Sequence, residues 1–586
     1  MEALTQSPRI RSRSSVARTS GVIYSSPLTF GDALTRLAAG QRLAVSVETI
    51  CPALGQGSVR LLGISNEKLP EPILFDLTRI GEEDLEEIHR LLHGPQVKVA
   101  YDWYEVGQRL LASNLSVGGQ LFDIRLAAQL LKAGAENYKP ELPALAGALL
   151  GTDPARLERV YSWSGPLVLD QFRRARQRVA ALLSLRERLV ELLREHDLVE
   201  VAKLEFDCLP AMIQMGYFGI RLDGPRLEGI QQQLLQRAKE CREKLLPWLP
   251  REVNVDSPKQ VKEAFAKQGI IVQSVNREAL LALRGHRELV EILLGYREAG
   301  TQEKTIVRKC LAAINPETLR VYPTWNQLGA ATGRLSCSDP PLQGTPKKVE
   351  FRSCFLPEEG YLFVIGDLSQ IELRVAAVIS GDVRMIRAFR EGRDLHRLTA
   401  SLVTGKPLIE VTDEERQAAK ALNFGLLFGM GEAGLQTYAR TKYRVELTLA
   451  QARKFRERFF QAYPGLASWV EEQVANQTRE TRTLSGRRRR WSRDQVPATE
   501  LINAPIQGTA ADILKKALGA LPEVLSDYAA QIVACIHDEI IVEVEAEKAQ
   551  EVAAILKKTM EQAGGWFLGK VPTVAEVRVA SSWGEK

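Results

Sequence analysis

Tyr361-Leu362-Phe363-Val364-Ile365-Gly366-Asp367-Leu368-Ser369-Gln370-Ile371-Glu372-Leu373-Arg374 is the stretch of this 586-residue chain on which its reading turns. The apolar run that ends in Gly366 and Asp367 describes a buried strand that delivers a carboxylate at its end. From Gln370 onward the period changes, and Ile371, Val375, Val378 and Ile379 fall on one side of a helix. A strand end holds a carboxylate rigidly, as a metal ligand requires. An aspartate that precedes a helix could also be no more than a cap.

A second carboxylate segment lies near the far end, Gln531-Ile532-Val533-Ala534-Cys535-Ile536-His537-Asp538-Glu539-Ile540-Ile541-Val542-Glu543-Val544. Two apolar runs around His-Asp-Glu read as a β-hairpin with adjacent acids near its tip. Turns commonly carry Asp for structural reasons alone. Adjacent carboxylates among apolar strands nevertheless repel each other unless a cation binds. Mg²⁺ takes one or two carboxylates together with substrate phosphates rather than a full protein cage. Asp367 and Asp538 could supply that incomplete shell.

Between the two lies Thr412-Asp413-Glu414-Glu415-Arg416, continuing through Lys420, Phe424 and Phe428. Thr412 and Glu415 have the spacing of a capping box, so a helix starts here. Arg416, Lys420, Phe424 and Phe428 recur every four residues along one face. A stripe that is cationic at one end and aromatic at the other suits a nucleoside triphosphate. An amphipathic helix with snorkelling Arg and Lys would show the same pattern.

Taken in order, the strand-borne Asp, the basic-aromatic helix and the His-Asp-Glu hairpin resemble the three motifs of family A DNA polymerases, in particular the bacterial DNA polymerase I family. Thr332-Gly333-Arg334-Leu335-Ser336, Asp394-Leu395-His396-Arg397 and Ile502-Asn503 through Gln507 to Asp512 also match in the expected places. The resemblance extends from about residue 199 to the C-terminus. It implies an α/β and α+β multidomain fold. That fold is a right-hand polymerase of palm, fingers and thumb, with an N-terminal RNase H-like domain of the 3′→5′ exonuclease type.

The resemblance further implies two Mg²⁺ ions, for which Mn²⁺ could substitute, held by Asp367, Asp538 and the Leu368 carbonyl. Glu539 matches an auxiliary catalytic acid. Arg416, Lys420 and His396 match triphosphate contacts, with Lys420 also a candidate general acid for the leaving pyrophosphate. Gln370, Phe424 and Phe428 match further nucleotide contacts, and Glu372 matches a steric gate against a ribose 2′-hydroxyl. Arg334, Asn503, Gln507 and His537 match primer-template contacts. Two departures stand out: Phe428 where the family commonly has Tyr, and Thr499 where an Arg is common. The run Arg487 to Arg490 could be a phosphate-binding patch or a solvated run of charge.

Residues 22–197 resemble, more faintly, the exonuclease domain of the same family. Its acidic motifs fall on Ser46-Val47-Glu48, on Glu105, and on Arg174 and Arg178. Ser46 and Arg178 replace carboxylates, and a cation where divalent ions would sit repels them. An inactive nuclease scaffold is the expectation, with a rearranged site on Asp102 and Asp123 the alternative. No 5′-nuclease domain is expected.

The expected organisation is a basic, disordered tail at 1–21 and the exonuclease-like domain at 22–197. Thumb and the start of the palm follow at 198–310, palm with the first metal motif at 311–380, fingers at 381–497, and palm with the second metal motif at 498–586. Gly229 to Leu245 and Arg277 to Arg297 read as long charged helices. The 78 basic and 72 acidic residues leave a formal charge of +6, which permits a polyanionic partner without proving one. Seven cysteines without a CxxC pair argue against a disulfide framework. No window reaches the apolar length of a membrane span. The expected partners are primer-template DNA and deoxynucleoside triphosphates, with no membrane, for a monomer in the cytoplasm; the basic tail leaves organellar import open. The alternatives are a polymerase with substantial reverse transcriptase activity and a non-catalytic DNA-binding scaffold.

Overall fold

A computed structural model describes residues 22–23, 29–50, 58–134, 138, 140–159, 163–283, 285–443, 445–476 and 478–585. The expected tail at 1–21 lies outside them. The first unit is a six-stranded sheet of β1 (Val22–Ile23), β2 (Arg42–Thr49), β3 (Val59–Ser65), β4 (Ile73–Asp76), β5 (Val97–Ala100) and β6 (Leu121–Asp123), in the order β1-β4-β3-β2-β5-β6. β2 runs parallel to β5, and β5 to β6, while the remaining neighbours are antiparallel. Leu43, Ala44 and Val45 are all fully buried on β2, so this strand has no solvent face to alternate with. The long Leu169–Glu195 helix closes the unit, and one apolar core runs from Ala33 to Leu209.

A smaller core gathers residues between Leu245 and Leu293. The expected helix from Gly229 to Leu245 is observed as Gly224–Lys244. The second charged stretch is broken: helices span Arg277–Leu281 and Arg287–Gln302, with Gly285 between them at φ +82°. The first helix already ends at its C-cap Ala282, and the left-handed Gly285 lies in the connection before the second begins.

Next come β7 (Ile220–Leu222), β8 (Arg320–Val321), β9 (Thr324–Asn326), β10 (Ser336–Ser338) and β11 (Phe355–Leu356). β9 and β10 pair as a hairpin. The last part contains β12 (Tyr361–Leu368), β13 (Glu480–Arg482), β14 (Arg488–Arg490), β15 (Gln531–Ile536), β16 (Glu539–Glu545) and β17 (Ala575–Ala580). β15-β16-β12-β17 form an antiparallel sheet at the centre of the largest core. A side chain at Gly366 would run into Met560 and Leu556 of the Ala549–Leu568 helix. Even-numbered residues of β12 therefore face that helix, and Asp367 faces the other way. Among the described residues no helix is long and apolar enough to cross a membrane.

Candidate active site

Asp367 lies opposite Glu539 on β16 and Glu576 on β17. Residues directly opposed on antiparallel neighbours share a face, so three carboxylates stand in a row across the sheet. Asp538 occupies the two-residue turn between β15 and β16, and its carbonyl accepts a bond from the Leu368 N–H at 3.3 Å. Asp367, His537, Asp538, Glu539 and Glu576 line one cavity of about 550 Å³, with Lys420 reaching it from the facing helix. Burial first, then Asp538, Glu539 and Glu576, push the Asp367 carboxyl up to about 6. Burial also raises Asp538, against the pull of Arg334, His537 and Lys347.

Glu539 is differently placed. Its carboxylate takes Arg352 Nη1 at 2.9 and 3.3 Å and Arg578 Nη2 at 3.1 Å, so its charge is already held from two sides. Among the described residues no three Asp, Glu, His or Cys side chains are gathered closely enough to hold a metal ion alone. Two crowded carboxylates beside an open cavity fit a hard divalent ion that keeps water and substrate oxygens in its shell. Two non-glycine residues flank this pair in left-handed conformations, Gln370 at φ +54° and His537 at φ +57°. Strained backbone of this kind persists only where its surroundings enforce it, and it clusters at functional sites.

The Asp413–Leu427 helix begins with the expected capping box: Glu415 N–H donates to Thr412 Oγ1 at 3.2 Å, and Thr412 N–H to Glu415 at 3.0 Å. Arg416 Nε donates to Asp394 Oδ2 at 2.6 Å, and the other Asp394 oxygen caps the helix that carries His396. The His396 ring lies 5.8 Å from that of Phe424, which lies 6.4 Å from Phe428. Asn423 Nδ2 sits 2.7 Å from His396 Nδ1, and Asn423 Oδ1 receives Thr399 Oγ1 at 2.9 Å. That amide orientation makes Nδ1 an acceptor and leaves the proton on Nε2. Burial drives His396 down to about 4, so the ring is neutral at physiological pH.

Glu372 is ion-paired with Arg334, and burial still raises its carboxyl above the ordinary range. Asn503 and Gln507 lie on the Ala498–Val524 helix. Buried Asn503 Oδ1 and Gln370 Oε1 have no hydrogen-bond partner among the described residues, and each is an acceptor awaiting a donor. The run Arg487 to Arg490 is neither a phosphate patch nor a solvated face as a whole. Arg487 is buried between Glu205 and Asp512, and Arg488 pairs with Glu480. The Arg489 guanidinium bonds the Gly134 carbonyl and lies over the Trp491 ring. Only Arg490 is exposed.

In the N-terminal unit each acid at the degenerate positions meets an arginine. Glu48 pairs with Arg178 at 3.3 Å, Glu105 with Arg159 at 3.0 Å, and Asp102 with Arg125. Asp102 and Asp123 also cap helices: Asp102 accepts from Glu105 N–H, and Asp123 from Leu126 N–H at 2.8 Å and Trp103 N–H at 2.6 Å. Ser46 stands half-buried on β2, and Arg174 bonds Asp170 and the Ala155 carbonyl.

Comparison with known proteins gives the family. The sequence profile of DNA polymerase family A matches residues 225–585. This chain belongs to DNA polymerase family A. Among relatives of this family A chain, DNA polymerase I of Aquifex aeolicus (strain VF5) is 43% identical over 269 residues, 45% of this chain and 46% of that protein. Thermostable DNA polymerase I of Thermus thermophilus is 33% identical over 485 residues, 78% of this chain and 57% of that one. DNA polymerase I of Geobacillus stearothermophilus is 28% identical over 586 residues, 94% and 65% of the two chains. This chain thus spans between 46% and 65% of the length of these relatives. The POL domain of Pol1 from M. smegmatis, solved in complex with DNA primer-template and dNTP, matches with a TM-score of 0.81 at 26% identity. The match covers 94% of this chain and 97% of that one.

Sequence reasoning missed Glu576, Lys347, Arg352 and Arg578 on the cavity wall of this family A chain. The alternation Glu576-Val577-Arg578 did signal a half-exposed strand. Its neighbour in the sheet, which gives Glu576 its position, is not a local property.

Proposed function

We propose that this chain is a DNA-directed DNA polymerase that adds deoxynucleotides to a primer 3′ end by two-metal nucleotidyl transfer and does not proofread. The observation that carries the reading is the convergence of Asp367 from β12 and Asp538 from the hairpin turn on a cavity that Lys420 also lines. Asp367, Asp538 and the Leu368 carbonyl would hold two Mg²⁺ ions, with Mn²⁺ as a substitute. Held there, such ions would supply activation of the primer hydroxyl and charge stabilisation of the leaving pyrophosphate.

The chain's own groups do the rest. Lys420 and Arg416 meet the triphosphate, with Arg416 aimed by Asp394, and Lys420 donates a proton to the pyrophosphate. His396 offers a neutral Nε2–H to the same phosphates. Phe424 packs on the sugar, with Gln370 and Phe428 beside it, and Glu372 fills the space of a 2′-hydroxyl. Glu539 steadies the hairpin tip through its two arginines rather than binding metal alone. Arg334, Asn503, Gln507 and His537 meet the primer-template. Minor-groove contacts of this kind read pair geometry more than sequence.

In this reading residues 198–310 are thumb and the start of the palm, 311–380 and 498–586 palm, and 381–497 fingers. Residues 22–197 are an RNase H-like exonuclease-type domain, which the mixed sheet supports. Its loss of activity is supported by the ion pairs that occupy its acids. The primer-template and dNTP named for the M. smegmatis relative support the partners, and the chain acts as a monomer.

One primer-extension assay tests the reading, with DNA and RNA templates, deoxy- and ribonucleotides, and a mismatched primer end. Mg²⁺-dependent extension of the DNA-templated primer with deoxynucleotides is expected, with the mismatched end left uncut. Asp367→Asn or Asp538→Asn should slow extension at least about a thousandfold while primer-template binding persists. Absence of extension by the unaltered chain rejects the proposal.

A further inference from the structure

The hairpin that carries Arg334 is held at three points by the N-terminal domain. On its first strand, β9, the Trp325 N–H donates to Tyr104 Oη at 2.9 Å, and Tyr104 donates to the Pro323 carbonyl at 3.2 Å. Beyond that strand, Leu328 packs against the core of the N-terminal domain rather than the polymerase core. At the tip, Gly134 presses on Ala331: a Cβ on Gly134 would lie 2.5 Å from the Ala331 carbonyl oxygen, and Gly134 has φ +79°. The same turn of the N-terminal domain also holds the arginine hairpin, because Arg490 N–H donates to the Ala133 carbonyl at 2.9 Å and Arg489 bonds Gly134.

The tip itself is a tight turn, closed by Ala330 N–H to the Arg334 carbonyl at 3.1 Å and Gly333 N–H to the Ala330 carbonyl at 2.9 Å. Its other sides are equally close. A Cβ on Gly333 would lie 2.7 Å from the Arg487 side chain, and one on Gly508 would lie 3.0 Å from the Thr332 carbonyl oxygen. Three successive residues before Arg334 are thus pinned by three different parts of the molecule, one of which is the domain whose nuclease acids are tied up in ion pairs. A loop with so little clearance passes a small displacement of one wall directly to the side chain at its end.

We infer that the N-terminal domain serves the polymerase site as a positioning element, with Tyr104 and Gly134 setting where Arg334 meets the primer-template. The inference rests on the reading of Arg334 as a primer-template contact. Neither residue lines the cavity of Asp367 and Asp538; Tyr104 bears on the Arg334 hairpin, and Gly134 bears on that hairpin and on Arg489 beside it.

The test measures steady-state primer extension by the full chain carrying Tyr104→Phe or Gly134→Ala, each in the parent and in an Arg334→Ala background. Ile88→Ala, a change in the same domain's core, controls for lost stability. Each positioning variant is expected to raise KM for primer-template about fivefold in the parent while KM for the nucleotide stays, with no further rise when Arg334 is already gone. Ile88→Ala should lower the melting temperature and leave KM for primer-template unchanged. Equal rises in both backgrounds, or no rise in the parent, overturn the inference. An Arg334→Ala chain that uses primer-template as the parent does would instead remove the reading of Arg334, and the inference with it.

Discussion

Asp367 titrates near pH 6 because burial and three neighbouring acids oppose its charge. Its folded value lies above the unfolded one, so its contribution to the metal-free fold is present at low pH and is lost as pH rises through about 6. A divalent ion bound to the carboxylate, as proposed, would reverse this. Mn²⁺ affinity should fall as pH drops through about 6, and binding below that point should release a proton; calorimetry in two buffers of different ionisation enthalpy measures both. An affinity that ignores pH across this window would show that Asp367 is not a ligand. Phe424 sets a second expectation, since it carries no hydroxyl to stand in for a missing sugar 3′-OH. The chain should discriminate against dideoxynucleotides, and Phe424→Tyr should narrow that discrimination at least about tenfold, the size of one hydrogen bond to a charged group, in competition assays of chain termination.

At the scale of elements, the capping box on the Asp413–Leu427 helix fixes the turn from which Arg416 projects. Thr412→Ala should cost about 1 kcal/mol of stability. Because the frayed turn carries Arg416, KM for the nucleotide should rise more than KM for primer-template. A melting curve beside steady-state kinetics separates the two effects. This helix was legible because its cap, its period and its stripe all lie within seventeen consecutive residues, 412–428. The β15-β16 hairpin was legible for the same reason: its apolar runs and its acids are contiguous. The break between Leu281 and Arg287 was not, since the charged residues around it keep a helical period across a connection that includes the left-handed Gly285. The Arg487 to Arg490 run misled for the opposite reason. The acids that bury Arg487 come from Glu205 and Asp512, one of them in a helix near the N-terminal third of the chain.

Across the whole molecule, what the sequence left unread is which segments become neighbours. Three motifs in order were enough to assign a family, but the row Glu539-Asp367-Glu576 exists only because β12 lies between β16 and β17. The positions proposed as degenerate nuclease motifs were legible as substitutions; that Arg178, Arg159 and Arg125 each take one acid was not. Arg178→Ala should destabilise the fold by about 3 kcal/mol, because Glu48 would lose the charge that balances it in the interior. It should confer no removal of a mismatched primer end, and thermal unfolding with a nuclease assay checks both. Trp583 is 1% exposed, its backbone N–H donates to the Phe355 carbonyl at 3.1 Å, and its ring lies 4.2 Å beneath the Arg352 guanidinium that grips Glu539. Removal of Trp583 by carboxypeptidase should therefore loosen Arg352 from Glu539 and slow the proposed primer extension, which an extension assay on the trimmed chain checks.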